Sequence, residues 1–271
     1  MHHAVTPVPP AVVRAVDRAL AGAGADAATV ADELDAVVDA LDGSGALRRA
    51  LSDISVSADE RAALAEHILG QKIGPRALAV VVAVARHRWR SDRDLPTAVE
   101  QGSAQAAMTA AEADGALVRV EEELFAFGRV LAGSRALRAS LTDLRAERSD
   151  RLALVDALLA DKVHPATLRL VHRLVAQPRG RTVTASLTAL GRLAAERRQA
   201  LIATATTAIP LTDAQEERLG VVLTRIYGRS VKVNNAVDPT VIGGVQVQVE
   251  DETVDSTVLA RLDEVRRRLA G

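Results

Sequence analysis

The chain has 271 residues, 48% of them apolar but only 1% aromatic, with a formal net charge of −1 and no cysteine. That length permits one large domain or two smaller ones with a sizeable core, and the near-neutral charge demands neither nucleic acid nor an anionic membrane as partner. The missing cysteine excludes disulfides, thiolate metal sites and a cysteine nucleophile.

Trp89, Tyr227, Phe125 and Phe127 are the only aromatics, so the core must be built from Ala, Val and Leu, which suits closely packed helices. The opening "MHHAVTPVPP" has no basic segment ahead of an apolar run and does not read as a secretory signal. No stretch approaches the ~20 consecutive apolar residues needed to span a bilayer. A soluble, cytoplasmic protein is expected, with any membrane association made through a partner.

In chain order, the pattern is helical from about Pro10 to Arg198, and this part contains a repeat. Shifted by 90 residues, "GSGALRRALSD" from Gly43 matches "GSRALRASLTD" from Gly133, and "GQKIGPRAL" from Gly70 matches "ADKVHPATL" from Ala160. Between Glu33 and Val81 there are 19 identities in 49 ungapped positions. They include Asp53/Asp143, Arg61/Arg151, Lys72/Lys162 and Pro75/Pro165, which an Ala- and Leu-rich composition does not explain, so the segment is an internal duplication. In the first copy, Ser57 and Glu60 form a capping-box pair, and Pro75 suits the first turn of a helix carrying Leu78, Val81, Val82 and Ala85. In the second, Pro165 introduces Leu168, Val171 and Val175, and Pro178 with Gly180 ends the helix. Ser44 and Ser134 are the caps of a shorter helix in each copy. Segments this short need bundle packing to be stable. The copies differ in charge, Arg86, Arg88 and Arg90 of one matching Ala176, Pro178 and Gly180 of the other, which predicts diverged partner surfaces.

Strands begin at Leu201. Leu201 to Ile209 reads as a strand stopped by Pro210, and Thr212 with Gln215 caps a helix whose apolar face holds Leu219, Val222, Leu223 and Ile226. Ser230 to Asn234 is a short strand. Val245, Val247 and Val249 alternate with Gln246, Gln248 and Glu250, giving one buried and one wet face. A last helix from about Ser256 buries Val258, Leu262, Val265 and Leu269 against those valines. The predicted fold class is mainly α with a small α/β C-terminal domain: a duplicated helical bundle (1–106 and 107–198) followed by a β-α-β-β-α domain (199–271).

No motif carries chemistry. Gly243 and Gly244 precede a strand without the third glycine or following helix of a dinucleotide fingerprint, so they mark a bend. "GRVLAGSR" from Gly128 has phosphate-loop glycine spacing but no Lys, within a helical pattern. His67, His87, His164 and His172 show no paired ligand spacing. Neither a cofactor nor a metal is expected, and no nucleophile, base and orienter can be assembled. The stretch from Lys162 to Arg198 is basic, but it lacks the stacking aromatics that nucleic-acid binding favours.

The C-terminal stretch "VDPTVIGGVQVQVEDETVDST" resembles the delta subunit family of bacterial F-type ATP synthases, relatives of the mitochondrial oligomycin sensitivity-conferring protein. The resemblance rests on Asp238 and Pro239 in the turn, Gly243 and Gly244, the Val-rich strand and Asp255. It extends back through "AIPLTDAQEERL" and, in the helical half, through "ELDAVVDALDGSGALRRALSD". The family usually has Asp-Gly-Ser where Asp255-Ser256-Thr257 stands, and its usual chain is shorter by about one repeat. The resemblance implies a non-catalytic stator subunit, one copy per complex. Its helical bundle would receive the N-terminal helices of alpha subunits, and its C-terminal domain would join the b subunits of the peripheral stalk at the cytoplasmic face of the membrane. Leu78, Val82, Leu168, Val171 and Val175 are the candidate partner-binding residues. The competing expectation is a helical adaptor binding partner helices, or nucleic acid through residues 162–198.

Overall fold

A computed structural model describes residues 8–199, 201–227, 231–241, 244–249 and 252–255. The chain forms two compact units, the first ending at Ala195 and the second beginning at Glu196.

The first unit is helical: α1 (Pro10–Leu20), α2 (Ala27–Gly43), α3 (Gly45–Ser52), α4 (Ala58–Leu69), α5 (Pro75–Arg86), α6 (Asp94–Ala113), α7 (Leu117–Gly133), α8 (Arg135–Thr142), α9 (Arg148–Leu159), α10 (Pro165–Ala176) and most of α11 (Val183–Gln199), whose last turn lies past the boundary. Both boundaries of each helix from α2 to α5 recur 90 residues later in α7 to α10, for instance 27 to 117 and 86 to 176. Identical local contacts account for that match. Ser44 and Ser134 each accept the amide of the residue three positions on, Leu47 or Leu137, at 3.2 Å. Arg48 donates to the carbonyls of Leu41 and Asp42, as Arg138 does to those of Leu131 and Ala132. The Glu33 carboxylate accepts the Gly74 amide just ahead of α5 (2.9 Å), and Glu123 accepts that of His164 just ahead of α10 (2.9 Å). A carboxylate there satisfies an otherwise unpaired N–H and meets the positive end of the helix dipole.

Arg61 and Arg151 are the buried pair that the repeat singles out, 2% and 6% exposed. Arg61 caps the C-terminus of α5 by donating to Ala85 O (2.8 Å), Arg86 O (2.8 Å) and His87 O (3.4 Å), and it also reaches Asp53 O and Val56 O. Arg151 reaches Val175 O at the end of α10 (2.6 Å). The carbonyls left over at a helix end are the natural acceptors for such a cation.

Helix α6 belongs to both copies. Its residues 100–110 stand 90 positions after α1, and α11 stands about 90 positions after α6. It is buried on most sides and is rich in small residues, including Ala98, Gly102, Ser103, Ala106, Ala107 and Ala111. Gly102 shows how closely it is packed, since a Cβ there would lie 2.9 Å from Val80 Cγ1. The expected division at 106/107 falls inside this helix, and residues of both copies contribute to one hydrophobic cluster.

The second unit contains β1 (Leu201–Thr207), α12 (Asp213–Tyr227), β2 (Val231–Val237), β3 (Gln246–Val249) and β4 (Glu252–Asp255). The sheet order is β2-β1-β3-β4, with β1 parallel to β2 and β3 antiparallel to both β1 and β4. Ala203, Ala205, Leu223, Val231, Val247 and Val249 form its core, with Val245 half-buried and Gln248 exposed. The alternating register therefore matches the sequence pattern.

Three details differ. Strand β4 was not anticipated, and Asp255 ends it. On α12 only the row Leu219, Leu223 and Tyr227 joins the sheet core, whereas Val222 and Ile226 are 50% and 68% exposed. A single sheet face covers one i, i+4 row of a helix, and Val222 and Ile226 lie on the adjoining row. The third difference is that β2 runs on to Val237. The expected last helix with Val258, Leu262, Val265 and Leu269 lies outside the described residues, as does Gly243.

Candidate partner-binding surfaces

Leu78 and Val82 of α5 are half-buried against the helical core, and between them Ala79 is exposed. Arg76 clasps this helix to its neighbour by donating to Ala19 O and Ala21 O, both at 2.8 Å, at the end of α1. The outward face of α5 is thus a row of small and branched apolar side chains, Leu78, Ala79, Val82 and Ala83. Ala79 and Ala83 gave no signal in the sequence beyond their helical spacing from Leu78 and Val82.

The matching helix of the second copy presents something else. Leu168 of α10 is half-buried, but Val171 and Val175 are 0% exposed and belong to the core, so they offer no surface to a partner. Its outer face holds Arg169 and Arg173, and both are bound to acids of α2. Arg169 meets Asp32 (2.5 Å) and Asp35 (3.2 Å), and Arg173 meets Asp39 (2.8 Å) and lies 3.5 Å from Asp35. Arg148 of α9 stands 3.5 Å from Asp39. Beyond the end of α10, Arg179 bridges Asp42 (2.9 Å) and Glu100 of α6 (2.6 Å). Its φ of +48° lies in the left-handed region that few non-glycine residues adopt, and the two-carboxylate clamp holds it there. A cleft of about 370 Å³ runs beside this seam, with Asp32, Arg148, Leu152, Leu168 and His172 among its walls.

The inner part of the seam is largely dry, whereas Asp32, Asp39 and Arg148 at its edge stay exposed. Side chains of Arg173, Arg179, Glu100, Asp35 and Asp42 are 10–18% exposed. Burial pushes the Glu100 carboxyl above its ordinary range, and Arg179 and Arg173 offset this only in part. Asp39 goes the other way. Burial raises it, but the hydrogen bond and charge of Arg173, helped by Arg148, hold it below the usual aspartate value. Three arginines of the basic stretch, Arg169, Arg173 and Arg179, are thus paired internally.

In the second unit, Asp238 Oδ1 accepts the Thr240 hydroxyl (2.7 Å) and amide (2.9 Å), and these bonds hold its carboxyl below the usual range. Pro239 sits in that turn, and Gly244 enters β3 at φ +82°, a conformation glycine adopts without strain. Asp238, Pro239 and Thr240 thus form a turn. Asn235, which the sequence reading passed over, ties the unit together by donating to Ala205 O (3.0 Å) and Thr207 Oγ1 (2.9 Å) and accepting the Leu211 amide (3.1 Å). Val221, Val222 and Ile226 make an exposed apolar row on α12.

No group of three or more His, Cys, Asp or Glu side chains among the described residues is arranged to hold a metal ion. No helix among them is long and apolar enough to cross a membrane.

Comparison with known proteins gives a consistent result. The family profile described as ATP synthase delta (OSCP) subunit matches residues 99–269. The chain is 48% identical over 252 residues to the ATP synthase subunit delta of Beutenbergia cavernae, covering 93% of each chain. Against the ATP synthase subunit delta of Streptomyces avermitilis it is 46% identical over 245 residues, 90% of each. With that of Kineococcus radiotolerans it shares 43% over 261 residues, 96% of this chain and 95% of the other. These matches span enough of the chain to include both helical copies.

Proposed function

The chain belongs to the ATP synthase delta (OSCP) subunit family, and from that premise we propose that it is the two-ended connector of the stator. It is a structural, non-catalytic subunit of the ATP synthase peripheral stalk. The helical unit would receive an amphipathic N-terminal helix of an alpha subunit on the catalytic head, and the second unit would join the b subunits of the stalk. It would thereby resist rotor torque at the cytoplasmic face of the membrane, associated peripherally through the complex. The carrying observation is the apolar row Leu78, Ala79, Val82 and Ala83 on a well-cored helical unit, the chemistry that helix-in-groove recognition uses. The row Val221, Val222 and Ile226 on the other unit supplies a second apolar surface for the second partner.

Reconstitution tests this. Catalytic heads stripped of this subunit are mixed with membranes carrying the b subunits, with and without the purified full-length chain. Proton pumping driven by ATP hydrolysis should return only when the chain is added. Full coupling in its absence, or a chain that binds neither heads nor b subunits, would refute the proposal.

A further inference from the structure

We infer that only the first helical copy is a receptor for a partner helix, and that the second is a bracket whose matching face is closed by the first. The inference rests on the connector reading above and goes beyond it by assigning the two copies different work.

The observation behind it is a set of matched positions. Ala79, Val82 and Ala83 of α5 correspond, 90 residues on, to Arg169, His172 and Arg173 of α10. Where the first copy keeps an open row of small apolar side chains, the second carries two arginines. The arginines find their acceptors on the first copy. Asp32, Asp35, Asp39 and Asp42 recur along α2 at spacings of three, four and three, which places them on one helical face. The matching positions of α7 hold Glu122, Phe125, Arg129 and Ala132, which form no such stripe. The seam is therefore one-way, because α2 can receive α10 while α7 could not receive α5 in the same manner. Substitutions on both sides, in α2 and in α10, are what make it, and no residue shared by the two copies takes part.

With α10 docked on α2, its outer face meets carboxylates at 2.5–3.2 Å and cannot also seat a helix. The α5 face stays open, and its surroundings define the chemistry of the occupant. Arg88 and Arg90 are exposed just past the C-terminal end of α5, and Arg86 there is 55% exposed with Asp59 at 3.2 Å. The matching residues of the second copy, Ala176, Pro178 and Gly180, carry no charge. The partner that fits is an amphipathic helix with a small-residue apolar stripe against Ala79 and Val82 and acidic residues at the end lying over Arg86, Arg88 and Arg90.

The test uses full-length variants, titrated against catalytic heads stripped of this subunit. Ala79→Glu, at an exposed position, should weaken binding at least tenfold with the helical circular dichroism unchanged. Arg88→Glu/Arg90→Glu should weaken it several-fold and abolish its salt dependence. Arg169→Ala/Arg173→Ala, which gives the second copy the residues of the first, should leave binding within twofold of wild type while raising amide exchange across α10 tenfold or more. A folded Ala79→Glu chain that binds like wild type overturns the inference. So does an Arg169→Ala/Arg173→Ala chain that loses binding or keeps the wild-type exchange rate in α10. A wild-type chain that does not bind the heads at all would instead overturn the connector reading, a result distinguishable because it precedes any substitution.

Discussion

In the first helical copy Arg61 donates to five backbone carbonyls, whereas in the second Arg151 reaches Val175 O and leaves its Nε buried without a partner. Ser57 and Glu60 close a full capping box ahead of α4, whereas Glu147 ahead of α9 makes no side-chain cap bond. Conversely, Glu123 receives the Thr167 hydroxyl (2.6 Å), where the first copy has Ala77 in place of Thr167. Yet the helix boundaries coincide. Boundaries are thus over-determined by several contacts each, and one contact can weaken in either copy without moving a helix end. Outward faces have no such redundancy, and there the copies have become an ionic seam on one side and an open apolar row on the other.

The sharpest way to break this comparison is to remove the shared arginines. Arg61→Ala strands several buried carbonyls and should destabilise the chain by roughly 3–4 kcal/mol, against about 1–2 kcal/mol for Arg151→Ala. Urea denaturation of the two full-length variants measures the difference. Equal losses would mean that the hydrogen-bond inventory does not set the cost.

Much of this was legible beforehand. The 90-residue shift located both copies, and Pro75 and Pro165 open their helices because a first-turn proline has no intrahelical bond to lose. The Val-Gln alternation gave the register of β3 correctly. The seam was not legible. Asp32, Asp35 and Asp39 look like a solvated helix face, and Arg169 and Arg173 like part of a basic stretch, until the fold brings residues more than 130 positions apart into contact. Val171 and Val175 read as partner-facing in the sequence because an apolar residue on an amphipathic helix does not reveal whether it faces the core or a partner. The exposed row on α12 was hidden for a similar reason, since Val222 and Ile226 carry the same apolar signal as Leu219 and Leu223.

The shared helix α6 offers a second comparison with α11. A Cβ at Gly102 would lie 2.9 Å from the buried Val80, a branched side chain with little room to yield. Gly102→Ala should therefore cost about 1–2 kcal/mol, overpacking exceeding the gain in helix propensity. Gly191 of α11 faces the edge of Phe125, a ring 48% exposed, at an ordinary contact distance of 3.4 Å. There the propensity gain should prevail, and Gly191→Ala should stabilise by about 0.5–1 kcal/mol. Thermal unfolding reads both. Opposite signs support a tightly packed α6 beside a more accommodating α11, and the same sign for both would remove that distinction.

Acid should act on the second copy through Glu123. Burial pushes its carboxyl up, but hydrogen bonds from Thr167 and the His164 amide, with Arg119, outweigh this and hold it below the ordinary glutamate value of 4.5. A carboxyl whose value falls on folding adds stability above pH 4.5 and loses it as pH drops through the lower folded value. Glu123→Gln should accordingly flatten the decline of the urea midpoint below pH 4.5. Thr167→Ala, which copies Ala77 of the first repeat, should cost about 1 kcal/mol at pH 7. An unchanged acid limb in Glu123→Gln would move the sensitivity to the other carboxyls held low in the folded chain, among them Asp39 beside Arg173 and Arg148 and Asp143 beside Arg145.

The smallest effect addresses the comparison most directly. At the head of α4 the Ser57 side chain accepts the Glu60 amide (3.2 Å), and Glu60 returns to the Ser57 amide (3.0 Å), so two donors without intrahelical partners are satisfied. Glu147 and Asp150 occupy these positions at the head of α9, where Glu147 has the extended ψ of 144° that suits a cap residue but makes no cap bond. The backbone is already in the capping geometry, and only the side chains are wrong. Glu147→Ser/Asp150→Glu should therefore add about 0.5–1 kcal/mol without moving a helix boundary, and Ser57→Ala in the first copy should remove about 1 kcal/mol. Paired urea titrations of the two variants make the check. A double substitution that destabilises α9 would mean that the two copies, despite matching boundaries, do not start their helices in the same way.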